Sequence, residues 1–140
     1  MHQQVTISSS PPKPSEFIAL RAKVGWGWGE TDPKLAQTSL SNSLYCLTAY
    51  HRDQLVGMVR VVGDGALFFY IQDLVVDPEF QHNGLGTALM EKLECYLSEV
   101  AKPGATVGLF SAQGKEAFYQ QFGYTKRTGE PLGLGMCRFI

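Results

Sequence analysis

Apolar residues recur along this chain at two spacings, and the changes between them mark the elements. Val5 and Ile7 alternate with polar neighbours over Gln4 to Ser8, a short strand that Pro11-Pro12-Lys13-Pro14 ends. Ser15 can cap a helix carrying Phe17, Ala19, Leu20 and Val24, and Gly25-Trp26-Gly27-Trp28-Gly29 breaks it. Asp32-Pro33 matches an N-cap followed by proline at the first helical position. It starts a second short helix through Leu35 and Leu40 that fades in Ser39-Leu40-Ser41-Asn42-Ser43. From Leu44 to Leu67 the pattern is that of antiparallel hairpins: Leu44 to Tyr50, a turn at His51-Arg52-Asp53, Gln54 to Val62, and a second turn at Gly63-Asp64-Gly65. Arg60, alone in an apolar strand, is expected on the solvent side or paired at an edge, and His51 is expected as a solvated turn residue.

Leu67 to Val76 is apolar on both faces, which predicts a buried mid-sheet strand. Its alternation puts Tyr70, Gln72, Leu74 and Val76 on one side and Phe69, Ile71, Asp73 and Val75 on the other. The strand stops at Asp77-Pro78. After a short polar loop, Gly84 and Gly86 open a helix that buries Leu85, Ala88, Leu89, Leu93, Tyr96, Leu97 and Val100, and Lys102-Pro103-Gly104 ends it. A strand over Ala105 to Phe110 must then run parallel to the earlier one, because a helix separates them. Ser111 can cap a last helix from about Gln113 to Gln121, closed by Gly123, and Tyr124 to Arg127 with Leu134 to Ile140 reads as a final antiparallel pair. The expectation is an α/β (α+β) chain with a mixed sheet, forming a single domain over 1–140, in the order β-α-α-β-β-β-α-β-α-β-β.

Composition narrows the function classes. A net charge of −1 and 18% charged residues give no basic face for a nucleic acid. Cys46, Cys95 and Cys137 are odd in number and form no Cys-x-x-Cys pair, which favours free buried thiols in a reducing compartment over disulfides or a metal site. No apolar run approaches membrane-spanning length and Met1-His2-Gln3-Gln4 does not begin a signal peptide, so the expectation is a cytoplasmic protein without a membrane partner.

The chemistry concentrates where the apolar strand gives way to the glycines. The first amides of a helix lack intrahelical partners and lie at the positive end of its dipole, so a phosphate there is held by main chain alone. The dinucleotide fingerprint needs a third glycine and a later acidic residue, and the P-loop needs Gly-Lys-Ser/Thr; neither is present. Gln81-His82-Asn83-Gly84-Leu85-Gly86 instead matches Q/R-x-x-G-x-G/A, and so resembles the pyrophosphate loop of the GNAT acyltransferase superfamily. The resemblance extends upstream through Leu74-Val75-Val76-Asp77-Pro78 and downstream to Phe118-Tyr119-Gln120-Gln121-Phe122-Gly123-Tyr124.

That resemblance implies the GNAT fold, with parallel strands that splay, and an N-acetyltransferase that uses acetyl-CoA as acyl donor without a metal. It implies cofactor contacts from Leu74, Val75 and Val76 to the pantetheine arm and thioester, and from Gln81, His82, Asn83, Gly84, Leu85, Gly86 and Thr87 to the pyrophosphate. Tyr119 occupies the family position of the tyrosine that protonates the departing thiolate. A phenol of pKa about 10 is a feasible donor to a thiolate whose parent acid has a pKa near 8.5.

The proton acceptor is less determined. Some relatives carry a glutamate where Tyr70 stands, and Asp73 alternates to the opposite face, so a water chain ended by Tyr70 or Asp73, or an amine that arrives neutral, all stay open. Trp26 and Trp28 plug the end of the core or, with Tyr70, wall an acceptor pocket. Many relatives have glycine and a basic residue where His82 and Asn83 stand. The implied acceptor is a primary amine of a small molecule, with a protein lysine less favoured and a non-catalytic acyl-CoA-binding module as the alternative. A homodimer stays open, since small sheet proteins often bury an edge that way.

Overall fold

A computed structural model of the chain describes residues 4–26 and 31–140. Trp28 lies outside the described residues. The elements are β1 (Thr6–Ser8), α1 (Pro14–Lys23), α2 (Pro33–Ser41), β2 (Tyr45–His51), β3 (Gln54–Gly63), β4 (Phe68–Val76), α3 (Leu85–Val100), β5 (Thr106–Leu109) and α4 (Glu116–Gln120), with a 3-10 turn at Pro78–Phe80. The chain divides into two compact units, residues 1–109 and 110–140.

Local chemistry accounts for the boundaries. Proline occupies the first turn of both α1 and α2, where a missing N–H costs nothing. The Glu16 carboxylate accepts from Lys13 N–H at 2.9 Å, and Asp32 accepts from Lys34 N–H at 2.9 Å. The hairpin turn before β4 is tied by Asp64, whose carboxylate accepts from the main-chain N–H of Ala66, Leu67 and Phe68. Those donors, Phe68 foremost, hold its carboxyl below the usual carboxylate range.

The first unit is a five-stranded mixed sheet in the order β1-β2-β3-β4-β5. The first three pairings are antiparallel, and β4 pairs with β5 in parallel, as the helical crossover requires. The strand buried on both faces is β3, not β4: Leu55 to Val61 are all buried, whereas β4 alternates buried and half-exposed residues. β3 is the third of five strands and is covered on one side by α1 and α2 and on the other by α3. Phe17, Leu20, Ala36, Leu40, Leu55, Met58 and Val75 form the core on the first side. On the second, Gly57 meets α3, where an added Cβ would come within 3.2 Å of Leu85 Cδ2 and 3.3 Å of Leu89 Cδ1. α3 buries Leu89, Met90, Leu93 and Leu97, with Tyr96 half-buried and stacked on Tyr45 at 4.1 Å.

Four expectations are corrected. Arg60 is 6% exposed and buried within the sheet. Cys46 is buried, but Cys95 and Cys137 are exposed; all three are free. His51 ends β2, with its Nδ1 at 2.8 Å from Gln4 O. In the second unit the expected final strand pair is not formed: residues 121–140 carry no strand, and Leu134, Met136, Phe139 and Ile140 stay exposed. Their spacing suits a strand, yet a two-stranded ribbon with no buried face does not hold by itself.

Candidate functional site

β4 and the start of α3 position the residues singled out by sequence. β5 pairs with β4 from Phe68↔Thr106 to Ile71↔Leu109 only, while β4 runs on to Val76. Beyond Ile71 no strand among the described residues pairs with the β5 side of β4, which is a strand edge there. Its main-chain directions follow from the ladder with β3. Asp77 N–H donates to Val56 O at 2.8 Å, which makes that pair hydrogen-bonded and the next pair, Val76↔Gly57, non-bonded. The Val76 N–H and C=O thus point away from β3, towards the open edge, and Leu74, two residues back, has the same orientation. Val76 O accepts from Gln81 Nε2 at 2.9 Å. Val75 differs from its neighbours: its main chain faces β3 and its side chain, 2% exposed, lies in the core.

The strand does not keep a strict alternation. Met58 pairs with Val75 but Arg60 pairs with Gln72, so β4 carries one extra residue opposite Val59, a β-bulge. Asp73 stands in it with φ 58, a left-handed conformation rare outside glycine. The bulge overturns the expected division of faces. Tyr70, Gln72 and Val75 pair with Val62, Arg60 and Met58, which share the α1/α2 side, and Asp73 turns to that same side. Gln72 Nε2 donates to Asp73 Oδ1 at 3.3 Å, although the two are neighbours in sequence.

Two guanidinium groups hold the bulge. Arg60 Nε donates to Asp73 Oδ2 at 2.8 Å, its Nη1 donates to Ser39 O and Ser43 Oγ, and its Nη2 donates to Ser39 Oγ. Arg21 Nε lies 3.2 Å from Asp73 Oδ1, but the N–H is not aimed at the oxygen, so the contact is ionic and the buried Nε–H stays unbonded. Both guanidiniums lie over the Phe17 ring, at 5.2 Å for Arg21 and 5.8 Å for Arg60. The Asp73 side chain is 1% exposed and engaged on both oxygens, an arrangement that fixes backbone rather than one that collects a proton. Cys46 pairs with Arg60 across β2 and β3, and burial pushes its thiol up to about 11 against the opposing pull of Arg60.

The loop to α3 is built mostly from main chain. Asp77, 1% exposed, accepts from Glu79 N–H at 3.0 Å and is paired with Lys23 Nζ at 2.7 Å, which fixes where β4 ends. It is thus a buried turn residue. His82 has φ 66 and Gly84 φ 84, and Gly84 is the N-cap of α3 with no side chain capping the helix. The main-chain N–H groups of Leu85, Gly86 and Thr87 accordingly face outward in the first turn, positive in potential. An added Cβ at Gly84 meets nothing within 4 Å, so the glycine is required by its φ rather than by crowding within the protein. His82, Asn83 and Thr87 are exposed.

The structure thus brings Leu74, Val76, Gln81 and the first turn of α3 to one end of the sheet, with Tyr70 on the α1/α2 side of the same strand. Trp26 is partly buried and packs against the α1/α2 core, which favours the core-plug reading for this ring, and its main-chain N–H donates to Arg21 O at 2.9 Å. Tyr119 lies on α4 of the second unit, half-buried, with its neighbour Phe118 edge-on to it and against Phe122 at 5.4 Å. Sequence reasoning missed Arg21 and Gly57 and misplaced Arg60. Arg60 and Asp73 carried a usable signal: two lone opposite charges in consecutive apolar strands, at positions a hairpin brings side by side.

Residues 28–138 match the family model described as an acetyltransferase (GNAT) domain. A probable acetyltransferase from meticillin-resistant Staphylococcus aureus superposes with a TM-score of 0.87 at 30% identity, covering 98% of this chain and 100% of that one. A GNAT-family acetyltransferase from Streptococcus pneumoniae superposes at 0.77 and 30% identity over 98% of each chain. Among sequence relatives, GCN5-related N-acetyltransferase 2 of Arabidopsis thaliana is 39% identical over 81 residues, 58% of this chain. The chain spans 30%, 53% and 62% of the length of three curated relatives that it matches. With a family model covering most of its length and the five-stranded mixed sheet shared at this level of superposition, the chain belongs to the GNAT acetyltransferase family.

Proposed function

We propose that the protein is an N-acetyltransferase that moves an acetyl group from acetyl-CoA to a primary amine of a small molecule by direct attack in a ternary complex. The observation that carries this reading is the pairing of an uncapped helix N-terminus with an open strand edge. The first turn of α3, opened by Gly84, suits a pyrophosphate, and the outward main-chain groups of Leu74 and Val76 suit an extended amide-bearing arm that adds to β4 like a strand. The residues present fit acetyl-CoA in that manner. The bound thioester supplies an electrophilic carbon; this chain supplies orientation, main-chain donors and proton control.

Tyr119 is proposed to give its phenolic proton to the departing thiolate. Asp73, held by two guanidiniums, is not given the proton-acceptor role; the amine arrives neutral or passes its proton to water ordered by Tyr70. The two units are read as one GNAT domain over 1–140, since the family match spans both. A small acceptor is preferred to a protein lysine because nothing in the near-neutral charge balance draws a basic peptide; one relative is named a histone acetyltransferase, and that name stays with the Glycine max protein. No helix among the described residues is long and apolar enough to cross a membrane, and a cytosolic site of action rests on the free thiols.

The test is a melting-temperature screen with acetyl-CoA, ATP and NAD, followed by thiol release over an amine panel. Stabilisation by acetyl-CoA alone together with amine-dependent thiol release supports the reading. Stabilisation without release with any amine would reduce it to a carrier-binding module. Tyr119→Phe is expected to lower kcat about 100-fold with KM for acetyl-CoA little changed.

A further inference from the structure

We propose that the acceptor carries a carboxylate beside its primary amine and that Arg21 is the residue that reads it; this rests on the acetyl-transfer reading above. The argument begins with charge. Around the bulge two guanidiniums, Arg21 and Arg60, face one carboxylate, Asp73, which leaves one positive charge over. Arg60 is engaged at all three nitrogens: it is 6% exposed and its Nε, Nη1 and Nη2 donate to Asp73, Ser39 or Ser43.

Arg21 is not saturated. Its side chain is 27% exposed, its buried Nε–H is unbonded, and among the described residues its two Nη groups have no hydrogen-bond partner. The other cation of this part of α1, Lys23, is already paired with Asp77. The guanidinium of Arg21 lies over the Phe17 ring, with Cζ 5.2 Å from its centroid, which holds the planar head in place. A guanidinium whose two Nη groups have no partner among the described residues can present two parallel donors, the geometry that matches a carboxylate.

Position supplies the second half. Arg21 meets β4 at Asp73, the second residue past Ile71, where pairing with β5 stops and the strand edge opens. Gln72 reaches the same Asp73 oxygen, and Tyr70 shares its face of the strand. An acceptor lying beside Tyr70 and Gln72 with its amine towards the open edge brings a neighbouring carboxylate against Arg21. Neutralising the surplus charge in a partly dry site favours such an acceptor over the same amine without its acid group.

The experiment compares matched pairs of amines, phenylalanine with phenethylamine, tryptophan with tryptamine, and 4-aminobutyrate with butylamine, by thiol release from acetyl-CoA. At least one carboxylated member is expected to exceed its partner in kcat/KM by about tenfold to a hundredfold. In Arg21→Met, which keeps an unbranched side chain at this position and leaves Asp73 with Arg60, that ratio is expected to fall to near one. Arg21→Lys should keep part of it, since charge remains and the fork is lost. Transfer with no preference for the carboxylated member, or a preference that survives Arg21→Met, would overturn the inference and leave acetyl transfer intact. If no amine is acetylated, melting temperatures with the N-acetylated amino acids and CoA decide the matter. A rise in wild type that is absent in Arg21→Met keeps the carboxylate site while the catalytic reading fails; no rise in either removes both.

Discussion

The bulge on β4 and the turn that opens α3 both hold non-glycine residues in the left-handed region, and they do so by opposite means. Asp73, φ 58, is 3% exposed and anchored through its side chain to Arg60 and Arg21. His82, φ 66, is exposed, and its turn is shaped by main-chain and Asp77 contacts on one side and the φ 84 of Gly84 on the other. One wall of the site is thus fixed by buried charge, the other by backbone conformation. The physical reason is what each must offer. The β4 edge needs main-chain groups aimed in a set direction, so its backbone is clamped from behind. In the proposed function the α3 turn presents its own N–H groups to an anion, which side chains capping the helix would compete for.

The difference is sharpest under truncation. Asp73→Ala removes the carboxylate that pairs with both Arg21 and Arg60 and takes from the buried Arg60 the counter-charge it has among the described residues. The expected loss is about 3–5 kcal/mol of unfolding free energy in urea titration. A loss below about 1 kcal/mol would mean that packing alone holds the bulge.

A second probe of the same wall is alkaline pH. Burial raises the Cys46 thiol from 9.0 to about 11, so the folded state keeps a proton that the unfolded chain releases. Stability from this group is complete below pH 9 and is lost as pH climbs from 9 to about 11, by up to about 2–3 kcal/mol. Tyr50, raised to about 12 by burial and by the Glu16 carboxylate it donates to, extends the decline upward. Cys46→Ala should flatten the lower part of the curve measured by denaturant titration at stepped pH. An unchanged slope would mean that the thiol does not contribute.

On the other wall the predicted effect is smaller and of another kind. Gly84→Ala places a Cβ in open space but at φ 84, so its cost is conformational strain of about 1–2 kcal/mol. If α3 relaxes to avoid that strain, the first-turn amides turn away and acetyl-CoA affinity falls with the melting temperature. A lower melting temperature with undiminished affinity would separate the glycine from the ligand.

This contrast also explains what the sequence disclosed. The α3 turn was legible because its rule is local: glycines between a strand and a helix need no knowledge of distant residues. The helix starting at Pro33, the hairpins and the parallel crossover were legible for the same reason; the expected caps, Ser15 for α1 and Ser111 for α4, were not, since Lys13 and Lys115 are the N-caps. The bulge was not, because a period-two count along Leu67–Val76 assumes one residue per position, and the extra residue shows only in the register with β3. Arg60 was misplaced at the surface because a lone charge in an apolar strand is cheap there unless a partner is known. Gly57, which lets α3 approach β3 to 3.2 Å of an added Cβ, bears no local mark. The final strand pair was expected from alternation alone, and alternation does not say whether a face is buried.

The smallest expected effect tests how far backbone alone suffices at the α3 turn. Asn83 is exposed immediately before Gly84, at a position where the family resemblance leads one to expect a basic side chain. A guanidinium there adds one favourable charge beside the pyrophosphate without altering the main-chain geometry. At an exposed site this amounts to about 0.3–1 kcal/mol, a two- to fivefold gain in acetyl-CoA affinity that fades as salt is raised. Isothermal titration of Asn83→Arg against wild type at low and high salt measures it. No gain at low salt would mean that the pyrophosphate lies beyond reach of position 83, and that the anion site is set by the amides of Leu85, Gly86 and Thr87 alone.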